Sequence, residues 1–285
     1  MKKIVTYTLL LFSAIQLKAQ QSATFKMKYL PDHKYTTDLT MGMDLNVNMT
    51  GNQAIIDKLT AQGITLPLAL KLNVNLNGDI TSGKKAADNS FPLMINLALG
   101  DLSVNIGGNV MNPLKGKNIG VKVYAHDTPD GKIQADSSFV NDKKDTAKTA
   151  MNGVLTSMQK QIKFPDHPLK VGESFTQEVP MNLPMTGKMG LSFTKTTVKT
   201  TYTLVSIAGG KANFDISQTM DLELTVKTAK ATLTGDGTGK LVYGIADNYP
   251  LSLDDNLKMK LNVTAGTMVI DGSANLNINS KYTVN

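Results

Sequence analysis

Apolar and polar residues alternate along much of this 285-residue chain. In the stretch MDLNVNM, which runs from Met43 to Met49, every second residue is apolar and the residues between are Asp or Asn. Residues i and i+2 of a β-strand share a face, so this period predicts strands with one apolar face and one polar face. Such strands belong to antiparallel sheets that are covered on one side and wet on the other.

The strand pattern continues along the chain and is clearly interrupted in two places. Residues 52–62 and, more distinctly, residues 145–162 have apolar positions at helical spacing. The stripe of the second helix is expected to pack against a sheet face. The sequence therefore predicts an all-β protein with a few helices, built from two related curved antiparallel β-sheet halves, half-barrel or sandwich-like. It would carry a short helix near 52–62 and a longer helix near 145–162.

Glycine-containing pairs mark the predicted turns. Gly209-Gly210 and Asp271-Gly272 stand where two-residue hairpin turns would join neighbouring strands. The phrase GDGTGKL, at residues 235–241, imitates a phosphate-binding loop. It is one residue short between its outer glycines and has Leu241 where Ser or Thr is required, so we interpret it as a turn.

The N-terminus, MKKIVTYTLLLFSAIQLKAQQ, has the features of a signal peptide. Two Lys residues precede a mostly apolar run over residues 4–15, and Leu17-Lys18-Ala19 offers a cleavage site. The run is shorter than the ~20 residues that a membrane-spanning helix needs. Because the chain contains no Cys, lipidation of a cysteine is excluded. We expect an exported protein, periplasmic or secreted, that is not a lipoprotein and has no transmembrane span after cleavage.

The halves of the chain contain similar phrases. PDHKYTTDLTMGM begins at Pro31, and PDHPLKVGESFTQEVPMNL begins at Pro165. Aligned on Tyr35 and Phe175, they share the order aromatic, Thr, any residue, acidic, apolar, any residue, Met. We interpret this as an internal duplication, with chance similarity of a short match as the alternative. The predicted segments are a signal peptide at 1–19, a first β half at 20–144, a linking helix at 145–163 and a second β half at 164–285.

The charge of the chain argues against nucleic acid as a partner. All 30 basic residues are Lys. Removing residues 1–19 takes away three Lys and no acidic residue, which lowers the formal net charge from +7 to about +4. The mature chain would be only mildly basic, and without Arg it lacks the usual side chain for bidentate contacts to phosphate and guanine.

Methionine is unusually abundant, with 15 residues, whereas Trp is absent. Met adapts to irregular surfaces and varied partners, so the apolar face is either an ordinary core with Met as filler or a cleft for an acyl chain or similar ligand. Capture of Cu(I) by thioethers is a third interpretation. The candidate ligand-binding residues are Met41, Met43, Leu45, Val47, Met151, Leu155, Met158 and Met259.

The three His residues form no recognisable catalytic or metal-binding pattern. His33 and His167 lie in the Pro-Asp-His triplets, whose simplest role is a turn before a strand. His126-Asp127 is not accompanied by a recognisable nucleophile or acid–base group. We therefore expect a protein that is not an enzyme and that uses neither a cofactor nor a metal.

The phrases FPDHPLKVGESF, TTYTLVSIAGGKANFDI and GDGTGKLVYGI resemble an exported all-β family of bacterial envelope proteins of unknown function. The first half resembles it more loosely, through YTTDLTMGMDLNVNMTG and AHDTPDGKIQADSSF. That family commonly has Trp where Phe175 stands in this chain. The resemblance implies a secreted or periplasmic β protein without catalytic residues. More remotely, the predicted curved sheets are similar to periplasmic lipoprotein-carrier folds, which is an analogy of fold.

These observations predict a non-enzymatic exported binding protein of the bacterial cell envelope. Its partner would be a lipid or other apolar small molecule, or an envelope protein. The alternative is a structural or adhesion module with a filled core and no ligand. A contiguous apolar cavity of ~300 Å³ or more would favour the first hypothesis.

Overall fold

The computed structural model describes residues 21–61, 65–106, 109–112, 119–128, 133–140, 143–145, 162–180, 191–226 and 229–285. Within these ranges the chain forms β-strands and one short helix, which confirms the predicted all-β class and the helix near 52–62. The elements are β1 Ser22–Ala23, β2 Lys34–Thr50, α1 Gln53–Ala61, β3 Leu68–Ser82, β4 Phe91–Ile106, β5 Asn109–Met111, β6 Ile119–Asp127, β7 Ile133–Val140, β8 Lys143–Asp145, β9 Leu169–Lys170, β10 Ser174–Pro180, β11 Leu191–Ala208, β12 Lys211–Val226, β13 Ala229–Gly244, β14 Tyr249–Ala265 and β15 Met268–Val284.

Thirteen of these strands form one antiparallel sheet. Its order is β10-β11-β12-β13-β14-β15-β2-β3-β4-β6-β7-β8, and β5 pairs with β4 beside this path. β1 and β9 form a separate antiparallel pair. The early strand β2 and the last strand β15 pair at the centre, from Thr50 opposite Val269 to Tyr35 opposite Val284. Both halves of the chain therefore belong to one sheet, in which each half is a meander that joins the other at β2 and β15.

The two phrases that suggested a duplication begin the two meanders, because Tyr35 lies in β2 and Phe175 lies in β10. Their surroundings differ. β2 pairs with both β15 and β3, whereas the pairing described for β10 is with β11. The relation between the halves and the predicted segment boundaries remain predictions. Of the predicted long helix, residues 146–161 lie outside the described residues, while Asp145 ends β8.

The sheet has one apolar face and one polar face, as the alternation predicts. Leu45 of β2 is paired with Leu70 of β3 and Ala274 of β15, and Ala274 is paired with Met259 of β14. Paired residues of adjacent strands share a face, so this row of apolar residues crosses four strands. Asn46, the next residue along β2, lies on the opposite, polar face.

At one end of the apolar face, two segments of the chain cover the sheet. Phe25, from residues 21–30, packs against Phe214 and Tyr243 with ring centroids 5.2 and 5.5 Å away. Phe164, from residues 162–171, packs against the same two rings. Most of the buried core lies here, and we call this part of the apolar face the covered end.

At the other end of the apolar face, the buried cluster of Met220, Leu222 and Leu257 is surrounded by strand residues. The helix α1 follows β2, and none of its residues is buried. We call this part of the apolar face the open end. On β2, β3, β14 and β15 its apolar side chains are half-buried: Met41, Met43, Leu45, Val47, Met49, Leu68, Leu70, Leu72, Val74, Met259, Leu261, Val263, Ile270, Leu276 and Ile278.

The structure confirms one predicted hairpin and corrects two other turns. Gly209 and Gly210 join β11 to β12, with φ angles of 56° and 74° that suit glycine. Asp271-Gly272 instead lies within β15, and the phrase at residues 235–241 lies within β13. Glycine in these strands makes room for neighbours: a Cβ on Gly235 would come within 3.2 Å of Met259 Cγ.

Candidate functional site

The structure brings together all the predicted ligand-binding residues that it describes. Met41, Met43, Leu45 and Val47 lie on one face of β2, and Met259 joins them through the paired row that crosses β15. All five side chains are half-buried. The other three predicted residues, Met151, Leu155 and Met158, lie outside the described residues.

These five residues form an apolar patch whose size follows from strand geometry. The seven residues from Met41 to Val47 extend over ~20 Å, because each of the six steps between them rises ~3.3 Å. Leu45 and Met259 lie two strands apart, which is ~10 Å. The patch is therefore long and narrow enough to match an extended hydrocarbon chain.

Asp255 interrupts the apolar face. This β14 residue lies between Leu253 and Leu257 in the alternation, and it is paired with Gly239 of β13 and Ile278 of β15. Within the described residues, its Oδ1 is buried and has no hydrogen-bond partner. A buried acceptor without a donor is unfavourable, and buried polar groups in proteins are nearly always paired. The position of Asp255 therefore requires an explanation.

The surroundings of Asp255 act on its carboxyl group in opposite directions. Removal from water raises the pKa of Asp255, whereas a hydrogen bond with the Gln218 side chain and another with the Asn256 backbone lower it. Tyr202, on the same face, has its pKa raised to about 12, mainly by burial and also by the Asp255 charge. Desolvation is the largest effect on both groups, so the pKa of each lies above its ordinary value.

Gly239 of β13 lies beside this carboxyl group on the apolar face, and Gly237 and Gly235 follow on the same face, opposite Leu257 and Met259. A Cβ on Gly239 would lie 3.0 Å from Asp255 Oδ1, and a Cβ on Gly237 would lie 3.1 Å from Gln218 Oε1. The glycines thus give the Asp255 and Gln218 side chains room to lie over the β13 backbone. What the sequence suggested was a turn is a contact surface for these two polar groups.

Sequence reasoning missed Asp255, although a signal was present. In the phrase LSLDDNLKMKL the apolar residues recur at every second position, and Asp255 occupies one of those positions. The second Asp of the doublet is therefore the residue that breaks the period. An acidic residue at an apolar position of a strand indicates either a cost to folding or a site.

The polar face carries the depressions that the structure describes on this sheet. One of about 790 Å³ is bordered mostly by Asn, Thr, Asp and Lys residues, and also by four residues of the apolar face, Asp255 among them. Neighbouring strands hydrogen-bond across this face: Asn256 with Asn277, and Asn262 with Asp271 at 2.6 Å. The sequence predicted only that this face is polar and wet. Its residues form hydrogen bonds that cross from strand to strand.

Tyrosine hydroxyl groups fasten residues 21–30 to the covered end. Tyr243 donates a hydrogen bond to the carbonyl of Lys26, and the Leu30 amide donates to Tyr35 Oη at 2.6 Å. Burial raises the pKa of Tyr29 to about 12. Tyr35 and Tyr243 are buried and Tyr29 is half-buried, and the hydrogen bonds of Tyr35 and Tyr243 hold the covering segment in place.

The histidines lie apart from Asp255. His126 Nδ1 is 2.9 Å from Asp136 Oδ1 in an exposed pair, and His33 Nδ1 is 2.6 Å from the Pro31 carbonyl within its turn. Among the described residues, no group of three or more His, Asp or Glu side chains could hold a metal ion. The same part of the chain contains no helix long and apolar enough to cross a membrane.

Comparison with known proteins adds little. No protein-family model and no curated protein matches the chain. Among solved structures it is similar to the cryo-EM structure of the T2SS secretin XcpQ from Pseudomonas aeruginosa, at 11% identity and a TM-score of 0.14. That alignment covers 89% of this chain and 58% of the secretin chain, so this chain spans little more than half of that length. The score is too low to carry an argument about fold or function.

Proposed function

We propose that this protein is a non-enzymatic, exported binding protein of the bacterial cell envelope that holds a lipid or other apolar molecule. The ligand lies on the open end of the apolar face, over β2, β14 and β15. One observation carries the proposal: the five predicted ligand-binding residues that are described share this face, and all are only half-buried.

Exposed apolar area of this kind is uncommon without a role. Soluble monomers rarely present contiguous apolar patches larger than a few hundred Å², and such patches commonly mark binding surfaces. Met41, Met43 and Met259 supply flexible, polarizable side chains that can adjust to a hydrocarbon chain. The polar face of the same strands keeps the protein in solution while the apolar face binds.

Extraction of the purified protein with organic solvent, followed by lipid mass spectrometry, tests the proposal directly. Displacement of an environment-sensitive fluorescent dye by dodecanol tests whether the protein also binds an apolar molecule that is added to it. We expect Leu45→Gln to weaken dye binding at least tenfold, because it places an amide on the apolar face. Asn46→Gln, on the polar face of the same strand, is the matched control and should leave dye binding unchanged. Absence of both co-purified lipid and displaceable dye would refute the proposal.

The second candidate is a structural or adhesion module that binds no apolar ligand. The observation that favours it is the depression on the polar face, which places the described concave surface away from the apolar patch. Under this hypothesis Lys258→Glu and Lys260→Glu, which reverse charges on that face, would abolish association with envelope fractions. Leu45→Gln would have no effect on that association, so the two sets of variants separate the hypotheses.

A further inference from the structure

Asp255 occupies an electrostatically distinctive position. Among the described side chains of β2, β3 and β10–β15, Asp255 is the only charged residue on the apolar face. The described lysines of these strands lie on the polar face. The described parts of these strands therefore supply no positive charge beside Asp255 on that face. Gln218 supplies a neutral hydrogen bond instead.

We propose that Asp255 anchors the head of an amphiphilic ligand, and that this head is a cationic amine with N–H donors. The inference rests on the proposed function, because it assigns the headgroup of the same apolar ligand. The hydrocarbon chain of the amphiphile lies over Leu257, Met259 and the β2 residues of the open end.

Hydrogen bonding favours an amine over other heads. Asp255 Oδ1 is an acceptor that has no donor within the described residues, and an ammonium group supplies several. A charge-assisted hydrogen bond is stronger than a neutral one, and an apolar surrounding strengthens it further. A carboxylate or phosphate head would meet an acidic side chain that has no basic partner among the described strand residues of this face, so anionic lipids are disfavoured.

The position of Asp255 along its strand gives the ligand a direction. Toward the covered end, the next residues on the apolar face are Leu253 and then the aromatic cluster around Tyr243. Toward the open end, Leu257 and Met259 lead into the half-buried patch. Asp255 thus lies near the closed limit of the patch, where a headgroup would sit with its chain directed away from the aromatic core.

Glycine at position 239 leaves the Asp255 carboxyl group room to form a hydrogen bond with a ligand. Because Gly239 has no Cβ, the Asp255 side chain lies over the β13 backbone and Oδ1 is shielded from water. Shielding from water keeps a hydrogen bond from being weakened by solvent. Rotation of the side chain about its Cα–Cβ bond would present Oδ1 to the ligand head.

Three probes with the same twelve-carbon chain test the proposal on the mature protein: dodecylamine, laurate and 1-dodecanol, each below its micellar or solubility limit. We expect dodecylamine to displace the fluorescent dye at a concentration at least tenfold lower than laurate does. Asp255→Asn should remove at least tenfold of the dodecylamine affinity and leave that of dodecanol unchanged. Asp254→Asn removes one negative charge from the polar face of the same strand and should change neither.

The outcomes separate this inference from the proposed function. Equal affinity for all three probes, or an unchanged dodecylamine affinity in Asp255→Asn, would overturn the anchor and leave the apolar site standing. If none of the probes binds, both are wrong, and a dimer found by sedimentation would identify a second copy as the occupant of the face. Asp255→Leu gives a second check that does not depend on a carboxamide. If the Asp255→Leu variant is more stable than the wild type and still binds dodecylamine more tightly than the other probes, Asp255 destabilises the fold and does not bind the headgroup.

Discussion

The covered end and the open end belong to the same face of the same strands, yet they are finished differently. At the covered end, Phe25 and Phe164 from outside the sheet complete an aromatic core with Phe214 and Tyr243. At the open end, the apolar cluster consists of strand residues with aliphatic and Met side chains. The buried aromatic residues that the structure describes lie where the chain covers its own sheet.

The difference shows how one alternating pattern can serve two purposes. The pattern places apolar residues on one face along the whole strand, and the segments that fold back decide which part becomes core. At the covered end, residues 21–30 and 162–171 pack over the apolar face and make it part of the core. The covered end therefore supplies stability, and under the proposed function the open end supplies the binding surface.

The largest expected effect comes from removing an aromatic ring at the covered end. Phe25 is 2% exposed and contacts three other rings. Phe25→Ala should lower the free energy of unfolding by about 3–5 kcal/mol, because it leaves a cavity and detaches the covering segment. Urea unfolding followed by circular dichroism measures the change.

Met43→Ala at the open end is the matched comparison. Its side chain is already half-exposed, so we expect a loss of about 1 kcal/mol. Equal losses from Phe25→Ala and Met43→Ala would mean that the open end is core as well. The contrast between the two ends would then be wrong.

A smaller effect is expected from the hydrogen bond that fastens residues 21–30. Tyr243→Phe keeps the buried ring and removes its bond to the Lys26 carbonyl. The unfolding free energy should fall by about 1–2 kcal/mol, since a carbonyl loses its donor. Tyr124→Phe, at a tyrosine that is 42% exposed, is the control and should change it by less than about 0.5 kcal/mol. A loss in Tyr243→Phe no greater than the control would show that packing alone holds the segment.

Much of the strand content could be predicted because its period is written in local residues. The alternation from Met43 to Met49 and around Met259 identified the strands and the face on which the candidate residues lie. The pairing of β2 with β15 could not be read, since it joins residues more than 200 positions apart and no local pattern encodes it. The identity of the segments that cover the sheet could not be predicted either, because it also depends on contacts between residues far apart in the chain.

Glycine produced the clearest errors. Gly209-Gly210 forms a hairpin, whereas Gly272 lies within a long strand. Both positions follow the same local rule, and only the pairing of neighbouring strands distinguishes them: Gly272 continues the ladder opposite Val47 and Leu261. Asp255 is a different case, because its break in the local alternation could be read from the sequence, whereas the neighbours that pairing brings to it could not.

The smallest expected effect concerns the pH dependence of stability. Desolvation raises the pKa of Asp255 above its ordinary value of 3.8. Between these two values the folded state binds more protons than the unfolded state, so stability falls as pH rises through that window. Asp255→Asn removes this dependence. The variant should therefore be more stable than the wild type at neutral pH, and its advantage should shrink as pH approaches the ordinary pKa of the carboxyl group.

Urea midpoints measured at neutral pH and near pH 4, with Asp254→Asn as the control for losing one negative charge, give the comparison. An advantage of the Asn variant that is the same at both pH values would mean that the carboxyl group is solvated, and the apolar face would then reach less far toward the covered end than the strand register implies.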